Sequence, residues 1–385
     1  DLVHWKEMPV AIYPDEHGAI STGSTVIDHQ NTSGLGSVAN PAAVAIYTAG
    51  HASWVEKFTQ CIAYSVDQGR SWSKYDGNPV MDHIMYKNRD PKVIWHEEGE
   101  RWVMVLYIDR NDYAIFTSKN LLEWEHQSDL SIPRATECPE MFSLPVDGNP
   151  DEKKWVFWVA NSTYLIGDFD GRVFHPEQEG RKLQPSGDSY AAQTWSDIPE
   201  SDGRRIQIAW LRQNMPGMPW GQCMTVPQSL AFVRREKEIV LLAQPVEELK
   251  TLRSERWSIN EVNIQAGHSI MAEITGELFD IEIDLQIGTA ECLGLIVRGV
   301  PVFYDCRYSS LVCGGNTVSV PTIEERLTWR ILVDKMSIEL YADQGALTIA
   351  HGCLIPEWER TVKVFSHRGT ATISSMKVWQ ICSAW

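Results

Sequence analysis

The 385-residue sequence contains no run of about 18 apolar residues, which is the length that a membrane-spanning helix requires. Basic residues are scarce, since 34 Lys and Arg stand against 51 Asp and Glu and give a formal net charge of −17. A chain of this charge repels phosphate groups, which excludes nucleic acid and anionic membrane surfaces as main partners. No signal peptide opens the printed sequence. The usage of its eight cysteines, interpreted below as reduced thiols, leads us to expect a cytoplasmic protein, with secretion left open.

Most signatures of metal and cofactor chemistry are also absent. The sequence has no Cys-x-x-Cys pair, no His-Glu-x-x-His, no Gly-x-Ser-x-Gly and no glycine-rich phosphate loop after a strand. We therefore expect neither a metal ion nor an organic cofactor. The eight cysteines do not have the spacing of a disulfide scaffold, so we expect reduced and mostly buried thiols.

Tryptophan is abundant. The sequence has 16 Trp residues, against about five at average usage. Trp supplies large apolar area in β-rich cores, and its ring can also stack against sugars. We expect most of these side chains to pack in the core.

Short strands separated by turns account for most of the remaining pattern. Runs rich in Val, Ile, Tyr and Trp predict strands at 44–47, 60–64, 92–96, 102–108, 114–117, 155–159, 205–211 and 230–234. Turn dipeptides such as Asp-Gly and Asn-Pro lie between them. Long amphipathic helical patterns are nearly missing, which favours an all-β propeller or sandwich over alternating strands and helices.

A weak internal repeat supports the propeller. Residues 67–72, Asp-Gln-Gly-Arg-Ser-Trp, are similar to residues 118–124, Ser-Lys-Asn-Leu-Leu-Glu-Trp, and to residues 1–5, Asp-Leu-Val-His-Trp. Each segment joins a strand end, a turn and a Trp. The separation of roughly 50–70 residues suits a four-stranded propeller blade.

The pattern changes near residues 241–252. Residues 242–249 predict a short helix or linker, and strict alternation returns at 281–287 and 337–341. Such alternation is typical of sheets with one buried face, as in a sandwich. We therefore predict an all-β domain at 1–240, a linker at 241–254 and a β-sandwich at 255–385.

Two short stretches place acids in unusual surroundings. In the tetrapeptide 88–91, Asn-Arg-Asp-Pro, the Arg can orient Asp90 and keep it ionised, and the Pro fixes a turn before the strand at 92–96. Glu137 precedes Cys and Pro at the entry to an apolar strand, where desolvation would raise its pKa as a general acid requires. From the residues alone, a structural turn and a solvated strand start remain the alternatives.

An ordered series of motifs resembles the invertase, inulinase and levanase family, glycoside hydrolase family 32. The segments that carry the resemblance are Asp-Leu-Val-His-Trp-Lys-Glu-Met-Pro-Val-Ala (1–11), Asn-Thr-Ser-Gly (31–34), Arg-Asp-Pro (89–91), Glu-Cys (137–138), Ile-Gly-Asp-Phe-Asp-Gly (166–171), Tyr-Ala-Ala-Gln-Thr-Trp (190–195), Gly-Arg-Arg-Ile-Gln-Ile-Ala-Trp (203–210), Pro-Gln-Ser-Leu (227–230) and Gln-Pro-Val-Glu-Glu-Leu (244–249). Residues 331–340 are similar to the family's C-terminal sandwich. Each short motif is weakly specific, and the ordered series is much more so.

The resemblance implies a five-bladed β-propeller with a funnel-shaped pocket, its first blade incomplete here, followed by a β-sandwich. It implies retaining hydrolysis of β-fructofuranosyl bonds in sucrose or fructans, which needs two carboxyl groups about 5–5.5 Å apart. By the resemblance, Glu137 is the acid/base, Asp90 stabilises oxocarbenium-like charge and holds fructose hydroxyls, and Arg89 helps to orient the sugar. Thr22 and Asp188 would also contact the sugar. The sequence does not choose between sucrose, inulin and levan.

The main departure from the family concerns the nucleophile. The family places it in Trp-Met-Asn-Asp-Pro-Asn-Gly on the first blade, and the printed sequence has no Asn-Asp-Pro-Asn motif. A second, milder departure is Ser21 and Thr22 where the family has an aromatic residue and a Ser. Without the nucleophile the usual covalent intermediate cannot form.

Three alternatives therefore stay open at this point. The nucleophile lies on a separate segment, a partner chain closes the ring, or the fold serves as a fructan-binding or structural relative without activity. A propeller scaffold whose acids are only structural is the least specific outcome. We also expect a homo-oligomer, because an incomplete blade leaves a strand edge that needs cover.

Overall fold

The computed structural model describes residues 1–50, 57–214, 217, 220–320 and 325–384. This part of the chain contains thirty strands and two short 3-10 helices, Glu247–Leu252 and Asp343–Gly345. It divides into two compact units. We call residues 6–182 with 191–205 the N-terminal unit, and residues 1–5, 183–190 and 206–385 the C-terminal unit. The domain boundaries at 240 and 255 stay a prediction.

The N-terminal unit contains two complete four-stranded antiparallel sheets and a run of consecutive strands from a third, ten-stranded sheet. The first sheet contains β1 (Ala19–Ile27), β2 (Ala43–Gly50), β3 (Thr59–Ser65) and β4 (Ser73–Lys74). The second contains β5 (Arg89–His96), β6 (Arg101–Asp109), β7 (Asp112–Ser118) and β8 (Glu125–Ser131). The third contains β9 (Glu140–Val146), β10 (Asn149–Trp158), β11 (Thr163–Phe169), β12 (Phe174–Pro176) and β13 (Arg181–Lys182). The next strand, β14 (Ser189–Thr194), has residues in both units.

The strand β6 shows how these sheets pack. Its even-numbered residues from Trp102 to Leu106 share a core with the first sheet. Its odd-numbered residues from Val103 to Tyr107 share a second core with the third sheet. A strand that packs against a core on both faces has a continuous apolar run instead of alternating apolar and polar residues. The sequence of β6 is such a continuous run. The three sheets are therefore stacked face to face, as propeller blades are.

The internal repeat corresponds to one recurring turn. In each copy a side-chain oxygen accepts hydrogen bonds from two backbone N–H groups two to four residues later. The residue after this acceptor has a positive φ in all four copies, between 63° and 86°. The four acceptors are Asp1, Asp67, Asn120 and Asp170. The copy at Asp170 escapes sequence comparison because Phe174 stands where the others have Trp.

The C-terminal unit contains two hairpin pairs and a sandwich. The hairpin strands are β15 (Arg205–Leu211) with β16 (Cys223–Met224), and β17 (Gln228–Arg235) with β18 (Glu238–Pro245). One sandwich sheet has the order β19 (Arg253–Ile264), β30 (Ala371–Ile381), β21 (Phe279–Gln286), β26 (Arg326–Val333), β27 (Ser337–Ala342), β28 (Leu347–Gly352). The other has the order β20 (Ser269–Met271), β29 (Val362–His367), β22 (Cys292–Val297), β23 (Val300–Asp305), β24 (Ser310–Cys313), β25 (Asn316–Ser319).

The predicted alternation of the sandwich is confirmed. Along β21, Phe279, Ile281, Ile283 and Leu285 all lie in the shared core of the two sheets. The predicted helix at 242–249 is wrong over its first half, since residues 242–245 end strand β18. Leu242 and Ala243 are buried in the ladder with β17, and the 3-10 helix begins only at Glu247.

The eight predicted strands of the sequence pattern all fall on observed strands. All eight cysteines are free thiols, and only four of them are buried, so the prediction that most are buried is met for half of them. No helix in the described ranges is long and apolar enough to cross a membrane.

Candidate active site

Asp90 lies in a β-bulge of β5. The pairing of β5 with β6 shifts by one residue between Arg89 and Lys92, and Asp90 has a φ of 62°. A bulge redirects a side chain, and it also accommodates Pro91 within a strand. The predicted turn before residue 92 is therefore wrong, because β5 already begins at Arg89. The consequence is an Asp90 side chain that is only 3% exposed.

The Asp90 carboxylate is surrounded by hydrogen-bond donors. Its Oδ2 accepts bonds from the backbone nitrogen of Cys138 at 3.2 Å and from the Cys138 Sγ at 3.5 Å. The Thr22 hydroxyl is a further donor. Burial raises the pKa of the Asp90 carboxyl above its ordinary value, while Arg89 and these donors act in the opposite direction. Positive φ values at both Asp90 and Cys138, 62° and 52°, concentrate backbone strain at this position.

Arg89 connects the two candidate carboxyl groups. Its Nε lies 3.5 Å from Asp90 Oδ2, and its Nη2 lies 3.7 Å from Glu137 Oε2. The guanidinium stacks on the Tyr107 ring, 4.7 Å from the ring centroid. Because Tyr107 pairs with Arg89 across β5 and β6, the strand register fixes this contact. The planar guanidinium of Arg89 thus holds the carboxyl groups of Asp90 and Glu137 near each other.

Glu137 is less buried than the sequence pattern predicts. Its side chain is 31% exposed, against 3% for Asp90, so desolvation is strongest at the other carboxyl group. Glu137 lies in an irregular segment just before β9. Its backbone carbonyl accepts a hydrogen bond from Ala160 N at 2.9 Å. This arrangement leaves the Glu137 carboxyl accessible for exchanging protons.

Thr22 reaches Asp90 because β1 lies close to β5. The Ser24 hydroxyl donates to the Pro91 carbonyl and accepts a bond from Val93 N, both at 3.0 Å. A Cβ at Gly23 would lie 2.0 Å from the Ile46 carbonyl oxygen, so glycine permits the close approach of β1 and β2. The stretch that the sequence singled out as a sugar contact therefore lies beside Asp90.

Asp188 has partners of another kind. It lies in the C-terminal unit, where its Oδ2 accepts a bond from Gly352 N at 2.9 Å and lies 3.2 Å from His351 Nδ1. These contacts tie Asp188 to the end of β28. Its role as a sugar contact stays a prediction.

Several residues of the site were missed by sequence reasoning. Asp90 N donates to Thr48 Oγ1 at 3.0 Å, and the Thr48 hydroxyl donates to Gln60 Oε1 at 2.8 Å. Both side chains are buried polar groups on otherwise apolar strands, which is the one signal that could have identified them. In the described ranges, no group of three or more His, Cys, Asp or Glu side chains is arranged to hold a metal ion.

Carboxyl side chains that converge on one place are what a glycoside hydrolase needs, and here Arg89 contacts both Asp90 and Glu137. The chain belongs to glycosyl hydrolase family 32, because the model of that family's N-terminal domain matches residues 1–245 and the model of its C-terminal domain matches residues 248–380. The resemblance inferred from the sequence is confirmed.

Curated relatives of this chain include levanases and an exo-inulinase. A levanase of Bacillus subtilis (strain 168) is 34% identical over 438 residues that cover 100% of this chain and 63% of the levanase. A levanase of Bacillus sp. (strain L7) is 28% identical, and the match covers 100% of this chain and 48% of that protein. An extracellular exo-inulinase of Aspergillus niger is 28% identical over 100% of this chain and 86% of its own length. The chain thus spans about half to two thirds of the length of the two levanases.

Solved structures agree on the fold. The exo-inulinase of Aspergillus awamori superposes with a TM-score of 0.88 at 24% identity, over 100% of this chain and 89% of that one. Fructan 1-exohydrolase IIa of Cichorium intybus superposes with a TM-score of 0.82 at 18% identity, over 100% of this chain and 88% of that one. The predicted fold class, an all-β propeller followed by a sandwich, is confirmed. The incompleteness of the first blade stays a prediction.

Proposed function

We propose that this chain takes part in hydrolysis of β-fructofuranosyl linkages in sucrose or in fructans such as inulin and levan, by a retaining mechanism. The observation that carries the proposal is the contact of the Arg89 guanidinium with the carboxyl groups of both Asp90 and Glu137. The family membership and relatives called levanase, exo-inulinase and invertase support the same substrate class.

Each side chain has a role that suits its surroundings. Glu137, which is partly exposed, protonates the oxygen of the leaving group as the bond from that oxygen to the anomeric carbon of fructose breaks. Asp90, buried beside Arg89, stabilises the positive charge that develops on the sugar ring and accepts bonds from fructose hydroxyls. Arg89 orients both carboxyl groups, and Thr22 contributes a hydroxyl beside Asp90.

The nucleophilic step is assigned to no residue of the printed sequence. The family resemblance gives this role to an Asp in an Asn-Asp-Pro-Asn motif, which the sequence does not contain. The second candidate function is fructan binding without hydrolysis. Both candidates use the same pocket, and they differ in whether the glycosidic bond is broken.

Release of fructose from sucrose, inulin and levan separates the two candidates. Under the first candidate the unmutated chain releases fructose and Glu137→Gln abolishes that release, because an amide cannot supply the proton. Glu123→Gln, at an exposed glutamate, is the matched control and is expected to behave like the unmutated chain. Fructan binding without fructose release would favour the second candidate. Absence of both would contradict the proposal.

Three further properties are proposed with less structural support. We propose a fructose-containing saccharide as the partner, a cytoplasmic location and a homo-oligomeric state. Several relatives are described as extracellular, which supports secretion as the alternative location. A light-scattering mass above that of one chain is expected, and a strictly monomeric mass would contradict the oligomer.

A further inference from the structure

The second sandwich sheet carries aromatic side chains on the face that points away from the core. Gly294 lies in β22, and the two residues directly opposite it on the neighbouring strands are Phe303 and Phe365. Leu293 and Leu295, on either side of the glycine, both point into the sandwich core. Because side chains alternate between faces, Gly294 and the two Phe residues share the outer face.

This trio is unexpected on an outer face. An antiparallel sheet with one face in the core normally has polar residues on the other, and glycine inside a strand weakens the sheet. Glycine within a strand also marks places where a ligand approaches closely. Here the two Phe rings converge above Gly294, with centroids 6.2 Å apart and planes inclined by 58°. Both rings are only partly buried, so they present apolar surface to the outside.

The Phe rings form part of a cavity of about 360 Å³. This volume lies within the range of small-molecule sites, which combine aromatic walls with a few polar groups. The polar groups here are the side chains of His268, Ser269 and His367, all exposed and able to exchange hydrogen bonds with a ligand. The lining includes no Asp, Glu, Lys or Arg among the described residues.

Two arginines near this lining are paired with carboxylates. Arg307, whose Nη2 lies 3.7 Å from the lining residue Cys292, also binds both carboxylate oxygens of Asp305, at 3.0 and 2.7 Å. Arg368, next to His367, lies 3.4 Å from Glu291. In a chain with a net charge of −17, this lining stands out because its described residues include no Asp, Glu, Lys or Arg. Such a lining suits an uncharged ligand that carries many hydroxyl groups.

We propose that this cavity is a second saccharide site, which binds a segment of a fructan chain on the sandwich. The apolar C–H groups of a fructosyl ring pack on Phe303 and Phe365, because the face of an aromatic ring is slightly negative and such hydrogens are slightly positive. His268, Ser269 and His367 hydrogen-bond the hydroxyl groups. The identity of the sugar in this proposal rests on the proposed function. The cavity would hold the polymer without contacting the bond that is cleaved.

Affinity electrophoresis of the full chain in gels that contain levan, inulin or no polymer tests this site. The unmutated chain is expected to be retarded by at least one of the two fructans. Phe303→Leu and Phe365→Leu keep apolar cover over Gly294 but remove the aromatic faces, and each is expected to weaken retardation roughly tenfold. His268→Ala is expected to weaken it without touching the core, because His268 is exposed. Trp358→Leu, at a tryptophan that is 80% exposed and outside the cavity, is the matched control.

Each outcome decides between the two sites. Retardation that survives in Phe303→Leu, Phe365→Leu and His268→Ala would overturn the proposal, as would the absence of any retardation of the unmutated chain. Retardation that is lost only in Arg89→Lys would also overturn it, while leaving the proposed function intact. If Phe303→Leu changes the solution mass instead of the retardation, the face is an interface between copies and the proposal is wrong. Fructose release from sucrose, which is too small to bridge two sites, tests the proposed function separately.

Discussion

Lys92 and Glu140 form an ion pair that is almost completely buried. Lys92 Nζ lies 2.8 Å from Glu140 Oε1, and the two side chains are 2% and 1% exposed. The Thr194 hydroxyl donates to Glu140 Oε2 at 2.8 Å, and Lys92 Nζ also donates to the Thr194 carbonyl at 3.0 Å. Lys92 lies two residues after Asp90, and Glu140 lies three residues after Glu137. The pair therefore links β5, which carries Asp90, to β9, which begins just after Glu137.

Breaking this pair is predicted to be costly. Lys92→Met leaves the Glu140 charge buried without its partner, which destabilises proteins by about 3–5 kcal/mol. The free energy of unfolding in urea is the measurement, and Lys250→Met, which removes an exposed ion pair with Glu247, is the control, expected to cost less than about 1 kcal/mol. Replacing both partners by apolar residues is expected to recover most of the loss. Equal effects of Lys92→Met and Lys250→Met would show that the pair is not buried.

Glu339 makes the stability of the C-terminal unit depend on pH. Its carboxyl accepts bonds from Val226 N at 2.8 Å and from the Tyr341 hydroxyl at 2.6 Å, with Gln228 beside them. Burial raises the pKa of Glu339 from 4.5 to about 7. Because the pKa is raised in the folded state, the contribution of Glu339 to the free energy of unfolding is complete below pH 4.5, where the carboxyl is neutral in the folded and the unfolded chain. It is lost as the pH rises to about 7, because the unfolded chain ionises first.

Glu339→Gln is therefore predicted to flatten the pH dependence of stability. Relative to the unmutated chain, the variant should gain about 3 kcal/mol in free energy of unfolding between a pH of about 4 and a pH of about 8. Urea unfolding at both pH values provides the measurement. Glu357→Gln, at an exposed glutamate, should show no such gain. The same pH dependence in Glu339→Gln as in the unmutated chain would exclude Glu339 as the titrating group.

Arg89→Lys tests the shared guanidinium. A lysine ammonium cannot contact two carboxyl groups and stack on Tyr107 at the same time, because it is a compact charge on a flexible stem. Affinity for fructose, measured by calorimetry, is predicted to fall roughly tenfold. Arg110→Lys is the control, since Arg110 is 85% exposed and its Nε lies 3.7 Å from Asp109 Oδ2. Unchanged affinity in Arg89→Lys would contradict the role of Arg89.

The sequence predicts the strands well because most of them are long apolar or alternating runs. The strand at 205–211 even has the observed bounds, and the turn at Asp67 is recognisable because its carboxylate satisfies backbone donors within five residues. Such local signals can be recognised in the sequence without knowledge of the fold. The error at 242–249 arises because Leu242 and Ala243 belong to a ladder with β17, a partner that the local pattern does not reveal.

The site was predictable only in part. Arg89, Asp90 and Glu137 lie in family motifs and Thr22 stands where the family has a Ser, and the structure brings these four together. The bulge that buries Asp90 depends on the register with β6, and the pair of Lys92 with Glu140 joins residues 48 positions apart in the chain. Interactions of this range arise from tertiary packing, and for that reason the greater burial of Asp90 than of Glu137 was not anticipated.

A crystal structure of the Glu137→Gln variant with bound fructose tests the central claim most directly. The account predicts one fructose whose hydroxyl groups lie within hydrogen-bonding distance of the Asp90 carboxylate and Thr22, with the side chain at position 137 beside the anomeric oxygen. A fructose that binds away from Asp90, or a pocket in which Asp90 and position 137 face different cavities, would contradict the account.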